Sequence, residues 1–273
     1  MAGLDPAIHG AGGTMDARIK SGHDVVRRQG QAVPQPEQNL TVSIWRGRAD
    51  GGYETYAVPR QESQTVLDVV TWVQRNLDPT LAYRFACRVG MCGSCAMTVN
   101  GAPRWTCRSH VAKVAVEGAL KIAPLANLPV IKDLVCDMTA FFEKWQKAKG
   151  RFAGTKTRKD GIEVRPPDTP ERRAVEAGIE CINCGVCYAA CDTVRWNEDY
   201  LGPAALNRAW TLVKDVRDAD DAARLKAVSD VGGCHSCHSH QSCTAYCPKA
   251  LNPTSSIAGL KRLTALAALR GRS

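Results

Sequence analysis

Thirteen cysteines in a chain of 273 residues limit what this protein can fold into more than any other feature of its sequence. An odd number cannot all pair as internal disulfides, and the first thirty residues lack the apolar stretch of a secretory signal. Because disulfides belong to oxidising compartments, we expect these cysteines to be reduced and to bind metal. No stretch approaches ~18 consecutive apolar residues, so we expect no membrane span.

The first cysteine group has the spacing Cys-x4-Cys-x2-Cys, with a fourth cysteine after eleven intervening residues. Its members are Cys87, Cys92, Cys95 and Cys107. This is the plant-type arrangement for a [2Fe–2S] cluster, in which three thiolates come from one loop. Gly90 and Gly93 allow that loop to wrap tightly, so that backbone N–H groups can point at the sulfur atoms. A zinc site is the alternative, but zinc ligands usually come as two closely spaced pairs.

The second and third groups follow the bacterial ferredoxin run Cys-x2-Cys-x2-Cys-x3-Cys, whose fourth cysteine characteristically ligates the other cluster. The first run is Cys181, Cys184, Cys187 and Cys191; the second is Cys237, Cys243 and Cys247, with His240 in place of a cysteine. Exchanging the fourth cysteines predicts a [4Fe–4S] site formed by Cys181, Cys184, Cys187 and Cys247. The remaining three thiolates predict a [3Fe–4S] cluster held by Cys191, Cys237 and Cys243.

His240 leaves two possibilities for the third site. Imidazole can ligate cluster iron, so a neutral ring that faces the missing corner would hold a fourth iron. A ring that turns away leaves the three-iron cluster and gives it a polar neighbour. We expect the three-iron cluster, because an imidazole–iron bond needs a ring that supporting contacts hold in place.

Two cysteines lie outside these sets. The segment from Cys234 to His238 matches the Cys-x-x-Cys-His motif of c-type haem attachment. Haem attachment of this type normally requires export of the protein from the cytoplasm. It would also remove Cys237 from the second ferredoxin-type cysteine run. We therefore expect Cys234 to be a buried thiol or a substitute ligand, and Cys136 to be a core residue of an apolar stretch.

The pattern of apolar residues predicts a small mixed sheet with one crossing helix, followed by a mainly helical part. Alternation from Leu40 to Ile44 predicts a strand, and Val66 to Leu77 have helical spacing after a cap at Ser63 or Thr65. Asn100-Gly101 is typical of a tight hairpin. Further helices are predicted at Pro203 to Val216, Ala222 to Val228 and Ser256 to Arg270.

These patterns divide the chain into four segments. We predict a disordered tail over 1–38, a [2Fe–2S] ferredoxin-like domain over 39–145, a linker over 146–170, and a helical domain with the other two clusters over 171–273. The tail resembles a peptide encoded by a dispersed bacterial DNA repeat, so we expect the native translation start to lie later.

Longer motifs around the cysteines resemble one family. They are Tyr83-Arg84 before Cys87-Arg88, Met91-Cys92-Gly93-Ser94-Cys95, Leu128-Pro129-Val130-Ile131-Lys132-Asp133-Leu134-Val135, the run from Cys181 to Cys191, and Cys247-Pro248-Lys249. Over residues 40–265 the chain resembles the iron–sulfur subunit of succinate dehydrogenase and fumarate reductase, the respiratory complex II family. The resemblance implies an α+β chain with an N-terminal β-grasp plant-type ferredoxin domain, followed by a mainly α-helical bacterial-ferredoxin-like domain.

The resemblance also implies partners. It implies a flavoprotein subunit whose covalent FAD interconverts succinate and fumarate, and one or more membrane-anchor subunits that bind quinone. Electrons would pass from FAD through the [2Fe–2S], [4Fe–4S] and [3Fe–4S] clusters to quinone, or in reverse. It places Trp196, His238 and Lys261 on the quinone side, and the chain peripherally on the cytoplasmic face of the bacterial inner membrane. Asp192 departs from the family, which usually has proline there.

The sequence contains no credible flavin or nicotinamide site, nucleophile motif or paired carboxylates, so we expect an electron-transfer subunit without catalytic residues. A glycolate-oxidase-like or heterodisulfide-reductase-like carrier uses the same twin ferredoxin frame, but the plant-type spacing argues against it. The net charge of +9 is compatible with a zinc and nucleic-acid-binding module as a remote alternative. We expect no nucleic-acid partner.

Overall fold

The computed structural model describes residues 39–271, with the exception of positions 163 and 165. The tail predicted over 1–38 lies outside the described residues. The described chain begins with a five-stranded mixed sheet and ends in a group of packed helices. This order confirms the predicted α+β class.

The sheet forms the first part of the chain. Its strands are β1 (Asn39–Arg46), β2 (Gly52–Pro59), β3 (Ala96–Val99), β4 (Ala102–Trp105) and β5 (Ala119–Ala123), in the order β2-β1-β5-β3-β4. Strands β1 and β5 are parallel, and the other neighbours are antiparallel. Asn100 and Gly101 have φ values of 50° and 79°, so the predicted hairpin turn joins β3 to β4.

Helix α1 (Val66–Asn76) packs its apolar side against this sheet. Thr65 is its N-cap: the Thr65 hydroxyl accepts the Asp68 N–H at 3.2 Å, and the Asp68 carboxylate accepts the Thr65 N–H at 3.0 Å. The structure therefore uses Thr65 rather than Ser63, the other predicted cap. The buried helix positions that share a core with the strands are Val66, Val69, Val70 and Val73. Burying each of these side chains contributes about 1.5–3 kcal/mol.

Short elements connect the sheet to the second part. They are helix α2 (Val111–Val114), a separate hairpin of β6 (Val130–Lys132) with β7 (Val135–Cys136), and helix α3 (Thr139–Lys147). The backbone after α3 is held by two side chains from the helical part. Asp218 accepts the Ala153 N–H at 3.0 Å, and Arg224 donates to the carbonyl oxygens of Lys149 and Arg151 at 3.0 and 3.1 Å.

The second part is helical. It contains α4 (Pro170–Ile179), α5 (Val186–Ala189), α6 (Asp192–Trp196), α7 (Pro203–Val213), α8 (Asp221–Ser229), α9 (Ser242–Ala245) and α10 (Pro253–Leu269). Helix α7 contacts α4, α8 and α10 and forms the centre of this group. No helix in the described part of the chain is both long enough and apolar enough to span a bilayer.

Two helix ends differ from the sequence expectation. Helix α7 ends at Val213 rather than Val216, and Asp215 beyond it accepts both the backbone and the side-chain N–H of Arg217. Helix α10 begins at Pro253, before the predicted Ser256. The reason is an N-cap that the apolar period does not reveal, since the Asn252 side chain accepts the Ser255 N–H at 2.9 Å.

Candidate iron–sulfur centres

The loop between α1 and β3 arranges backbone N–H groups around a sulfur atom. The Cys87 Sγ lies 3.5, 3.2 and 3.3 Å from the backbone nitrogens of Val89, Met91 and Cys92, which donate to it. Arg88 and Gly90 have positive φ (59° and 75°), and this lets the chain curl around the sulfur. Converging N–H donors stabilise negative charge on a thiolate, as a [2Fe–2S] site requires.

The hairpin β3–β4 brings the fourth cysteine of this group to the third. Thr106 donates to the Cys95 carbonyl from its backbone N–H at 3.2 Å and from its hydroxyl at 2.8 Å. Cys107, the next residue, is buried like Cys95. Burial, together with the nearby Cys95 thiol, raises the pKa of Cys107 to about 11.

At the exposed end of the same loop, the thiol pKa is lowered instead of raised. The backbone N–H of Cys87 and the hydroxyl of Ser94 lower the pKa of Cys92 to about 6. The exposed Cys92 thiol therefore ionises readily, whereas the buried Cys107 thiol would need a nearby positive charge, such as that of iron, to become a thiolate.

The four cysteines of the predicted [4Fe–4S] set line one cavity, which is also lined by Asn207 and Leu251. Cys247, from the second run, thus lies beside the first three cysteines of the first run: Cys181, Cys184 and Cys187. Burial raises the pKa of each of these three thiols. As at Cys107, a bound iron would supply the charge that keeps them ionised.

The three cysteines of the predicted [3Fe–4S] set all interact electrostatically with Tyr200, which is buried at 1% exposure. Burial raises the pKa of Tyr200, and the nearby Cys237, Cys191 and Cys243 raise it further. Asn127 supports this run from the first part of the chain, since its Nδ2 donates to the carbonyl of Cys191 at 3.1 Å. Sequence reasoning missed both Tyr200 and Asn127, because neither belongs to a ligand spacing.

The residues predicted on the quinone side lie near this third set. Trp196 is 68% exposed, and its ring meets that of His240 edge-on with 6.0 Å between centroids. The His240 ring lies 6.1 Å from that of His238. Lys261 donates to the Cys237 carbonyl at 2.6 Å. Trp196 is thus a surface residue, which argues against a core-packing role.

The two remaining cysteines are both buried. Cys234 is fully buried, with its Sγ 3.7 Å from the Thr264 hydroxyl, and Cys136 donates to the Leu125 carbonyl at 3.6 Å. Across the described residues, no group of three or more His, Cys, Asp or Glu side chains could hold a single metal ion.

Buried polar atoms also fit cluster binding. The side-chain nitrogens Trp105 Nε1 and Asn207 Nδ2 are buried without a hydrogen-bond partner. Asn207 lines the cavity of the second set, and Trp105 stands two residues before Cys107 in the sequence. Donors beside cysteines suit cluster sulfur as an acceptor, so the residues present fit the predicted groups.

Comparison with known proteins matches both parts of the chain. A 2Fe-2S iron-sulfur cluster binding domain matches residues 40–143, and a 4Fe-4S dicluster domain matches residues 180–252. The succinate dehydrogenase iron-sulfur subunit of Paracoccus denitrificans is 35% identical over 245 residues, which cover 86% of this chain and 93% of that protein. The chain belongs to the succinate dehydrogenase and fumarate reductase iron–sulfur subunit family.

Other relatives support this membership. The fumarate reductase iron-sulfur subunit of Haemophilus influenzae is 34% identical over 215 residues, covering 74% of this chain and 82% of that protein. A chain of the Mycobacterium smegmatis Sdh1 complex in the apo form superimposes with a TM-score of 0.74 at 28% identity, covering 83% of this chain and 95% of that chain. Membership confirms the predicted cofactors and the role of an electron-transfer subunit without its own catalytic site.

Proposed function

We propose that this iron–sulfur subunit relays electrons between the FAD of a flavoprotein subunit and quinone at a membrane anchor, within a succinate:quinone oxidoreductase. When bound, iron–sulfur clusters accept and release single electrons. The close approach of the first cysteine loop to the second set carries the proposal. A Cβ on Gly93 would lie only 2.6 Å from the Cys184 Cβ, so the loop that follows Cys92 touches the second set directly.

The ligand assignments are part of the proposal. We assign Cys87, Cys92, Cys95 and Cys107 to the [2Fe–2S] cluster, Cys181, Cys184, Cys187 and Cys247 to the [4Fe–4S] cluster, and Cys191, Cys237 and Cys243 to the [3Fe–4S] cluster. The backbone N–H donors around the Cys87 sulfur support the first assignment, and the shared cavity supports the second. The electrostatic interactions of all three cysteines with Tyr200 support the third. We also retain 39–145 and 171–273 as domains and 146–170 as their linker, which agrees with the gap between the two family matches.

Exposed apolar side chains suggest where the partners bind. Beside the exposed Cys92, Val89 and Met91 are 58% and 63% exposed, and we propose that this loop faces the flavoprotein. Trp196, His238 and Lys261 lie beside the third set, and we propose that they face quinone and the anchor. This arrangement would hold the subunit peripherally on the cytoplasmic face of a bacterial inner membrane.

The proposal predicts a strict dependence on partners. Iron and acid-labile sulfide should both be present in the purified chain, which alone should neither oxidise succinate nor reduce fumarate. With its flavoprotein it should pass electrons to soluble dyes, and quinone turnover should also require the anchor. Zinc without sulfide would contradict the cluster assignment, and succinate-dependent dye reduction by the flavin-free chain would contradict the relay.

His240 provides a second test, at the third cluster. Its ring is exposed and contacts Trp196, so we expect it to make no bond to iron. An air-oxidised sample should show the electron paramagnetic resonance (EPR) signal of a [3Fe–4S] cluster, and His240→Val should leave the type of signal unchanged. If the signal is absent from the wild type and appears only in the variant, His240 is a ligand and the prediction is wrong.

A further inference from the structure

Two buried N–H donors near the second cysteine set have no acceptor within the described part of the chain. They belong to Asn207, which is 3% exposed, and Trp105, which is 7% exposed. Leaving a buried donor unsatisfied destabilises the folded state, so native structures rarely contain one. Two such donors near the same cysteine set, one of them lining its cavity, indicate an acceptor that becomes available only when a cluster is bound.

Asn207 is held in a defined orientation. Its Oδ1 accepts the hydroxyl of Ser256 on α10 at 2.8 Å, and Ser256 is itself buried. The amide oxygen accepts this hydroxyl, so the NH₂ group is the part of the side chain left for another acceptor. That group has no other partner, and Asn207 lines the cavity of Cys181, Cys184, Cys187 and Cys247.

Trp105 lies between the first cysteine loop and the second set. A Cβ on Gly90 would lie 3.1 and 3.2 Å from Cζ3 and Cε3 of the indole, so the benzene edge packs against the first loop. Trp105 ends strand β4, which packs against α5 just after Cys184, and the indole and Cys184 belong to the same buried cluster. The indole N–H has no acceptor there, so it remains available to a sulfur atom of a bound cluster.

We propose that Asn207 and Trp105 donate N–H hydrogen bonds to sulfur at the second site and thereby raise the reduction potential of its [4Fe–4S] cluster. The inference rests on the proposed assignment of Cys184 to that cluster. Reduction by one electron adds one unit of negative charge, most of which is shared by iron and sulfur. Donors aimed at the sulfur atoms stabilise the more negative state more strongly, which makes the cluster easier to reduce.

The test is an EPR-monitored redox titration of the assembled protein in the variants Asn207→Leu and Trp105→Phe. Asn207→Leu removes the amide donor at a similar side-chain size, and Trp105→Phe removes the indole donor and keeps an aromatic ring. Each should lower the equilibrium constant for one-electron reduction of the [4Fe–4S] cluster by about tenfold. For a one-electron couple, tenfold corresponds to ~59 mV. The [2Fe–2S] potential should stay unchanged in Asn207→Leu.

A matched control is Trp145→Phe, because Trp145 Nε1 is also buried without a partner but lines a different cavity. We expect no shift of the [4Fe–4S] potential in this variant. A shift equal to that of Trp105→Phe would mean that loss of any buried indole N–H perturbs the cluster, and it would overturn the inference for Trp105.

A second measurement uses only the wild-type protein, so it does not require the variants to fold and bind their clusters. In wild-type protein labelled with ¹⁵N-indole tryptophan, the reduced [4Fe–4S] cluster should show hyperfine coupling to ¹⁵N. After exchange into deuterated water, proton couplings from exchangeable donors, including the Asn207 amide, should be replaced by deuteron couplings. Absence of both couplings, or unchanged potentials in both variants, overturns the inference while the cluster itself is present. Absence of a [4Fe–4S] signal from the wild type instead overturns the proposed function.

Discussion

Cys247→Ala is expected to remove the [4Fe–4S] cluster and leave the ligands of the [3Fe–4S] cluster intact, although Cys247 follows Cys243 closely in the sequence. The reason is spatial, since Cys247 lines the same cavity as Cys181, Cys184 and Cys187. Three thiolates then remain where four irons need ligands. The iron content should fall by about four atoms per chain, the size of that cluster.

The measurement is iron and sulfide content combined with EPR of the oxidised and reduced protein. Cys234→Ala is the matched control, because Cys234 is buried beside Thr264 and is assigned to no cluster. The control should retain all three clusters. Loss of the [3Fe–4S] signal in Cys247→Ala, with the [4Fe–4S] signal retained, would show that the fourth cysteines are not exchanged between the runs.

Arg224→Met should lower the free energy of unfolding by about 3–5 kcal/mol, the effect of leaving one partner of a buried ion pair alone. The side chains of Arg224 and Asp218 are both fully buried, and Arg224 Nη1 lies 2.7 Å from Asp218 Oδ1. Burial alone would raise the pKa of Asp218, but hydrogen bonds from Arg224, Ala153 and Asp220 hold it below its ordinary value. The carboxyl is therefore ionised at neutral pH. In the variant its buried negative charge has no positively charged partner.

The same substitution releases the backbone between the two parts of the chain, since Arg224 also donates to the carbonyl oxygens of Lys149 and Arg151. The midpoint of urea unfolding, followed under anaerobic conditions through cluster absorbance, measures the loss. Asp221→Asn is the control: Asp221 is 53% exposed and 3.9 Å from Arg224, so we expect less than ~1 kcal/mol. Equal midpoints for Arg224→Met and wild type would contradict the role of the pair.

Local signals in the sequence predicted the elements that present the cysteines. The Asn100-Gly101 turn predicted the hairpin that brings Cys107 to Cys95, because a two-residue turn with positive φ leaves few alternatives. The cap at Thr65 was predicted from its position before an apolar period, and the structure selects it over Ser63. The start of α10 was missed because its signal, Asn252-Pro253, lies ahead of the apolar period.

Cysteine spacing predicted the kinds of cluster, and the longer motifs around the cysteines predicted the family. An iron–sulfur cluster has a fixed size, so a loop that wraps around it must place its cysteines at characteristic sequence intervals. Those intervals can be recognised in the sequence without a structure. Contacts between segments that are distant in the sequence produce no characteristic spacing. Only the tertiary structure placed Gly93 against Cys184, brought three cysteines into electrostatic interaction with Tyr200, and left Trp105 and Asn207 as unpaired donors at the second site. These contacts depend on how the sheet and the helices pack, and packing is decided by the buried surfaces of the whole chain rather than by any local motif.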